Sequence, residues 1–371
     1  MKFIYATSIS YPSGLANRMQ ILAMSKALGE KMGNNFWLGG QNIKMDGANF
    51  QILNFKTAKS YLLAPKYLKF AKKNNADIVY CREPKLLLFL CIFGKISGTK
   101  VKFAYEVHRI IDDNFLNQIA EKILSSFVDK YIFVTKHLAD MYLEKYGLDK
   151  KQIFVAPDGV DLKIFDIGAS KEEARTKLDL PQNMKIIGYC GRYKTMGEDK
   201  GFFDILEALK LLPQNVIFVA MGGKPRHVAE YQKVADDMGL SGRAFFRGHY
   251  TQDIVALYQK AFDVLLMPFP ANLPTGRQAT HYSYYMSPMK MFEYMASKRP
   301  IIASDLPSTR EVLNESNSVL VEAGNPKALA DGIKKVLDNP ALAQKISAQA
   351  YEDSKKYEWG VRAENIIKFL R

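Results

Sequence analysis

Short apolar blocks alternate with longer stretches of helical periodicity along the whole chain. In the first half the blocks predict strands near 2–7, 35–38, 77–81, 101–105, 131–134 and 152–155. Between them, apolar residues spaced three and four apart predict helices, notably 15–32 and 115–127. The second half repeats the arrangement, with strands near 185–190, 215–221, 243–247, 263–267, 300–303 and 318–321. Its helices include 201–212, 226–238, 253–260 and 288–297. Such alternation predicts an α/β chain with two parallel sheets, each covered by helices on both faces. The stretch "VAPDGVDLKIF" at 155–165 carries Pro, Gly and Asp but little periodicity, so it is expected to join two domains, 1–165 and 166–350. The terminal "YEWGVRAENIIKFLR" predicts one more amphipathic helix within 351–371. No fixed short repeat or low-complexity tract interrupts the pattern.

One residue breaks the pattern. In "SPMKMFEYMASKRPIIASDLP" at 287–307, Glu293 stands among Met, Phe and Tyr and shares a helix face with Met289 and Ala296. Ser287 suits an N-cap and Pro288 a first helical position. Glu293 is either half of a solvated i,i+3 pair with Lys290 or a carboxylate held to accept hydrogen bonds from ligand hydroxyls. A second motif adds weight to the ligand. The strand "KIIGYC" leads into "GRYKTMGEDKG", where Gly191 permits a sharp exit, Arg192 follows, and Lys200-Gly201 opens a helix. Two cations and a helix N-terminus favour phosphate, unless both cations merely face solvent. With the turn at Ser287, Pro288, Met289 and Lys290 on the same side, a diphosphate could rest there and Glu293 could accept from both hydroxyls of a ribose. Ligands of doubly wound sheets bind at strand carboxyl ends, where these motifs fall.

Composition narrows the classes. The chain has 371 residues, enough for two domains, and 48% hydrophobic with 24% charged residues is a globular balance. Cys81, Cys91 and Cys190 form no CxxC and are expected as packed, reduced thiols of a cytoplasmic protein. "MKFIYATSIS" lacks the apolar core of a signal peptide, and the apolar run "LLLFLCIF" is too short for a membrane span. The net charge of +14 calls for an anionic partner or a solvated lysine face. Six lysines and no acid fall from Lys56 to Lys73, interleaved with Tyr61, Leu62, Tyr67 and Phe70. That mixture suits the anionic inner face of a membrane. No helix-turn-helix, stacking motif or zinc site accompanies the charge, so nucleic acid is not the expected partner.

Taken in order and spacing, "VAPDGVDLKIF", "GRYKTMGEDKG", "SPMKMFEYMASKRPIIASDLPSTREVL" and "YEWGVRAENIIKFL" resemble the retaining family 4 glycosyltransferases of the GT-B fold. The match is specific from about 130 onward. The resemblance implies two Rossmann-like doubly wound domains facing a central cleft. It also implies an acceptor-binding N-terminal domain, a C-terminal domain that binds a nucleotide-sugar donor, and a last helix crossing back to the first domain. By it, Arg192 and Lys200 neutralise the diphosphate and Glu293 grips the ribose. His108, in "FAYEVHRI", matches a family position near the donor sugar. Gly14 approaches donor phosphate, and Asn17, Arg18 and Arg82 are acceptor-side candidates. One departure stands out: the family's other glutamate falls at Tyr285, which can make a hydrogen bond but carries no charge. Either sugar recognition has moved to "PANLPTGRQATHYSYYMSP" or catalysis is altered.

The chain contains no Asp-x-Asp and no His/Cys pair with ligand spacing, so neither metal nor other cofactor is expected. The expected activity is metal-independent transfer to a glycan or lipid-linked acceptor in envelope synthesis. The phosphate would take the acceptor's proton on the same face of the sugar. The alternatives are a non-transferring enzyme of the same fold, such as a nucleotide-sugar epimerase, and, from a different class, a basic nucleic-acid-binding protein.

Overall fold

Strands buried on both faces read as unbroken apolar runs, and "FIYAT", "IVYC" and "VIFVAM" are of that kind. The computed structural model describes residues 1–371 except 12–15, 46, 58, 111–114, 196–197 and 271–281. The chain divides into two units. The first comprises Met1–Asp158, Tyr285–Ser287 and Trp359–Arg371; the second comprises Gly159–Tyr284 and Pro288–Glu358. The changeover therefore falls at 158–159 rather than 165–166, and the return at 359 rather than 351. Val160 N–H donates to the Tyr357 carbonyl at 2.9 Å, which ties 160 and 357 into the second unit.

The first unit is a seven-stranded parallel sheet in the order β3-β2-β1-β4-β5-β6-β7. Its strands are β1 (Phe3–Ser10), β2 (Phe36–Gln41), β3 (Gln51–Asn54), β4 (Ile78–Cys81), β5 (Lys102–Val107), β6 (Lys130–Phe133) and β7 (Ile153–Val155). Helices α1 (Ala16–Met32), α2 (Ser60–Asn74), α3 (Pro84–Ile96), α4 (Phe115–Phe127) and α5 (Lys136–Tyr146) connect them. The final helix, Trp359–Leu370, packs on α1. Strand order reverses beside β1, so the loops after β1, β4 and β5 surround the switch point where such sheets receive ligands.

The lysine-rich segment folds as α2, and its aromatic residues do not all stay outside. Tyr67 is buried, donating from its hydroxyl to the Thr7 carbonyl at 2.7 Å and accepting from Thr7 N–H at 3.1 Å. The missing Cβ at Gly39 admits the Tyr67 ring, which lies 2.3 Å from where that atom would be. Phe70 is half-buried, edge-on to Trp37. Neither is therefore available to a membrane as the pattern suggested; Tyr61 and Leu62 remain exposed. "LLLFLCIF" forms the body of α3, and no described helix is long and apolar enough to cross a membrane.

The second unit holds a six-stranded parallel sheet and a two-stranded ribbon. Its strands are β8 (Lys185–Cys190), the antiparallel β9 (Lys194–Thr195) and β10 (Glu198–Asp199), β11 (Val216–Met221), β12 (Ala244–Phe246), β13 (Val264–Met267), β14 (Ile301–Ser304) and β15 (Val319–Val321). The sheet order β12-β11-β8-β13-β14-β15 puts the switch point at β8. A Cβ on Gly188, within β8, would lie 1.8 Å from the Phe262 ring, so only glycine fits there. Tyr189, Tyr193, Phe202, Tyr231 and Phe246 pack together over this strand. The three cysteines are buried free thiols.

Candidate functional site

At the end of β8 the chain leaves the sheet through Gly191, whose φ of 143° falls in the region that favours glycine. A Cβ there would also come within 3.0 Å of the Lys290 side chain. That lysine crosses the strand exit, its ammonium 3.7 Å from the Tyr189 ring centroid and donating to the Tyr189 hydroxyl. Lys200 is buried, with its ammonium 5.4 Å from the Phe269 ring centroid. Burial lowers the Lys200 pKa to about 8. Burial, then the charge of Lys200, brings Lys290 down to about 7. Glu293 is half-buried, and its carboxylate has no hydrogen bond or ion pair among the described residues. Burial pushes it up to about 7 against the pull of Lys290. The solvated Lys290–Glu293 pair is thus not formed. Instead, two poorly solvated ammonium groups and an unpaired carboxylate share one strand end.

Some expected contributions are different. The hydroxyl of Ser287 caps no helix; it accepts from Asp158 N–H at 2.9 Å. Pro288 occupies the N-cap itself, φ −79° and ψ 122°, and the helix runs Met289–Ala296. There is no side-chain cap; Met291 N–H turns back to the Pro288 carbonyl at 2.9 Å, which leaves the Met289 and Lys290 amides without an acceptor among the described residues. The helix after Lys200, Phe202–Lys210, is less suited to phosphate. Asp199 Oδ1 accepts from Gly201 N–H at 2.6 Å and Phe202 N–H at 2.9 Å, so a carboxylate already occupies that helix end. Arg192 is exposed, and Tyr189 OH donates to its carbonyl at 2.9 Å.

The first unit gathers a second polar cluster around Glu106, at the end of β5. Its carboxylate is fully buried, accepting from Arg362 Nη2 at 2.6 Å, Gln20 Nε2 at 2.9 Å and Tyr5 OH at 3.1 Å. Burial opposes its charge, but the Arg362 guanidinium overcomes that and holds its pKa well below the usual range. His108 Nε2 lies 3.1 Å from Glu106 Oε1. Burial and then the Arg82 charge lower the His108 pKa, which keeps the imidazole neutral near pH 7. Arg82 donates to the Gln20 side chain, whereas Arg18 donates to the Ser10 carbonyl at 3.1 Å and so secures a loop. Asn17 is exposed. Tyr285 is buried, and its carbonyl accepts from Thr135 Oγ1 at 2.9 Å. Gly14 and most of the 270–288 insert lie outside the described residues. Glu106, His108 and Asp158 could each offer a ligand atom to one metal ion. Two guanidiniums border this cluster, Arg362 on Glu106 directly, and their charge opposes a cation.

Comparison with known families decides the class. Residues 46–164 match the model for Glycosyltransferase Family 4, and residues 184–339 match that for Glycosyl transferases group 1. The chain belongs to the family 4 glycosyltransferases. Among curated relatives, this transferase is 27% identical over 250 residues to the D-inositol 3-phosphate glycosyltransferase of Xylanimonas cellulosilytica, covering 65% of its own length and 56% of the relative's. It spans little more than half of such relatives. Among solved structures, it superposes on Anabaena Alr3699/HepE in complex with UDP with a TM-score of 0.77 at 18% identity, covering 100% and 99% of the two chains. The Rickettsia africae glycosyltransferase gives 0.79 at 18%, covering 100% and 98%. The glycosyltransferase therefore has the GT-B fold.

Sequence reading missed the Glu106 hub and its partner Arg362. The signal was available, because Arg362 falls on the apolar stripe of the final helix with Trp359, Ala363, Ile366 and Ile367. Removing Arg362 strands a buried carboxylate. Arg362→Ala should cost about 3–5 kcal/mol in chemical denaturation, and adding Glu106→Gln should recover part of that loss.

Lys290 makes stability depend on pH. In the free protein its lowered pKa means the unfolded chain keeps a proton that the folded chain sheds, so this lysine makes stability rise with pH from about 7 to 10.5. Lys290→Met should stabilise the free protein by about 1 kcal/mol or more and remove that slope, read by urea unfolding at several pH values. The same variant should bind nucleoside diphosphate at least tenfold more weakly by calorimetry. Wild-type affinity should fall as pH rises above about 7, as Lys290 and then Lys200 lose their protons in the free protein while Glu293 becomes ionised.

Proposed function

We propose that the enzyme moves a sugar from a nucleoside-diphosphate sugar to a glycan or lipid-linked acceptor, with retention at the anomeric carbon. On this reading it serves envelope polysaccharide or glycolipid synthesis, works at an anionic membrane surface and needs no metal. The observation that carries the donor reading is the second unit's strand end, where the Lys200 and Lys290 ammonium groups, each lowered in pKa by burial, stand with Glu293, whose carboxylate has no hydrogen bond or ion pair among the described residues. A diphosphate would bring negative charge to these ammonium groups, and the Met289 and Lys290 amides at the start of helix Met289–Ala296 could add hydrogen bonds. Glu293 would accept from the ribose hydroxyls. As the sugar–phosphate bond breaks, charge grows on the terminal phosphate, and ammonium groups held in a poorly solvated site stabilise that charge most strongly. Arg192, exposed at the strand exit, would reach the same phosphates. Neutral His108 suits contact with an uncharged sugar face, leaving Asn17 and Arg82 toward the acceptor. The Anabaena structures with UDP and with UDP-glucose support a nucleotide-sugar donor.

A thermal-shift series with UDP-, GDP- and ADP-sugars should give one class of stabilising ligand. Glu293→Ala should weaken that nucleotide by about 1.5–3 kcal/mol while leaving inorganic pyrophosphate unaffected. Equal nucleotide affinity in the variant would remove Glu293 from the ribose. Transfer, followed by product chromatography, should persist in chelator; loss restored by a divalent ion would overturn the metal-free reading.

A further inference from the structure

The exposed faces of α2 and α3 continue into a groove at the amino-terminal edge of the first sheet, the end opposite Arg82 and His108. The groove encloses about 1080 Å³. Its lining includes apolar Leu68, Phe93 and Ile96 together with Lys69, Lys72, Lys100, Lys102 and Arg371. Among the described residues none of these four lysines has an acidic partner within ion-pair distance; the one acid of the lining, Asp77, accepts from Lys2 N–H at 2.6 Å.

The apolar part is continuous. On α3, Phe89, Phe93 and Ile96 recur at i, i+4 and i+7, with the Phe89 and Phe93 rings stacked at 6.0 Å. On α2, Tyr61, Pro65, Lys69 and Lys72 share one stripe, and the Tyr61 ring meets that of Phe89 at 6.2 Å. Ile96 is 76% exposed, Tyr61 47% and Leu62 43%. Large aliphatic and aromatic groups in water, edged by Lys69 and Lys72 of α2 and by Lys100 and Lys102 at the start of β5, are complementary to a surface that is apolar inside and anionic outside.

We infer that this groove, with the α2–α3 face leading to it, docks on the surface of an anionic phospholipid bilayer, the lysines of its rim receiving a lipid phosphate and Ile96 with Tyr61 and Leu62 entering the interface. The inference rests on the reading of the enzyme as one that works at a membrane, and places that contact on a defined surface.

Flotation with vesicles of phosphatidylcholine alone, or with 30% phosphatidylglycerol, tests it. Wild type should float only with the anionic vesicles. The quadruple variant Lys69→Gln, Lys72→Gln, Lys100→Gln, Lys102→Gln should lose at least tenfold in recovery, and Ile96→Asp should lose severalfold at unchanged lysine content. Retained flotation in the quadruple variant, or an Ile96→Asp protein that floats like wild type, would overturn the groove as the docking site. Self-association abolished by Ile96→Asp, with no flotation, would assign the face to a second copy instead. A thermal shift by the nucleotide identified for wild type should be the same in all variants. It separates misfolding from lost docking, and its absence in wild type would count against the donor assignment alone.

Discussion

A carboxylate with no exposure to water must be matched by charge and hydrogen bonds or it costs several kcal/mol, and Glu106 is the place where this chain meets that demand. Tyr5 comes from β1, Gln20 from α1, and Arg362 from the final helix. Arg362 also donates to the carbonyls of Pro157 at 2.7 Å and Ala156 at 3.1 Å, next to the point where the first unit hands over to the second. One buried negative charge therefore fixes the register of the last helix on the first sheet, and the same oxygen stands beside His108. The arrangement of sheet, final helix and imidazole is a single electrostatic problem with a single solution.

The second unit shows the opposite economy. There burial leaves two ammonium groups with lowered proton affinity and a carboxylate with raised affinity. Each of these shifts is a cost of burying charge in the free protein, and groups shifted in this way mark a candidate binding site. The Asp199 cap on the neighbouring helix sharpens the contrast, since its carboxylate already accepts from the Gly201 and Phe202 amides.

Much of the fold was legible because buried parallel strands must be apolar and the helices between them must carry a stripe. The first four strands of the second sheet start within one residue of their expected positions. Missed were β3, a short edge strand with half-exposed residues, and the β9–β10 ribbon, whose pairing depends on a turn and not on a pattern. The site was legible where a charge interrupted an apolar face, as at Glu293. It was illegible where a role depended on partners distant in sequence. Nothing local says that Ser287 will answer Asp158, that Tyr67 will turn inward past Gly39, or that Asp199 will consume the amides offered after Lys200.

The pairing of Glu106 with Arg362 spans 256 residues. During synthesis at 5–20 residues per second, roughly 13–50 s separate the two residues. For most of that interval, from residue 155 onward, every strand of the first sheet has been made, yet its central carboxylate lacks its guanidinium. The nascent first unit waits in an incomplete state with a carboxyl group that is best kept protonated or wet. Its completion is timed by the last helix, so that the earliest sheet made is the last to settle.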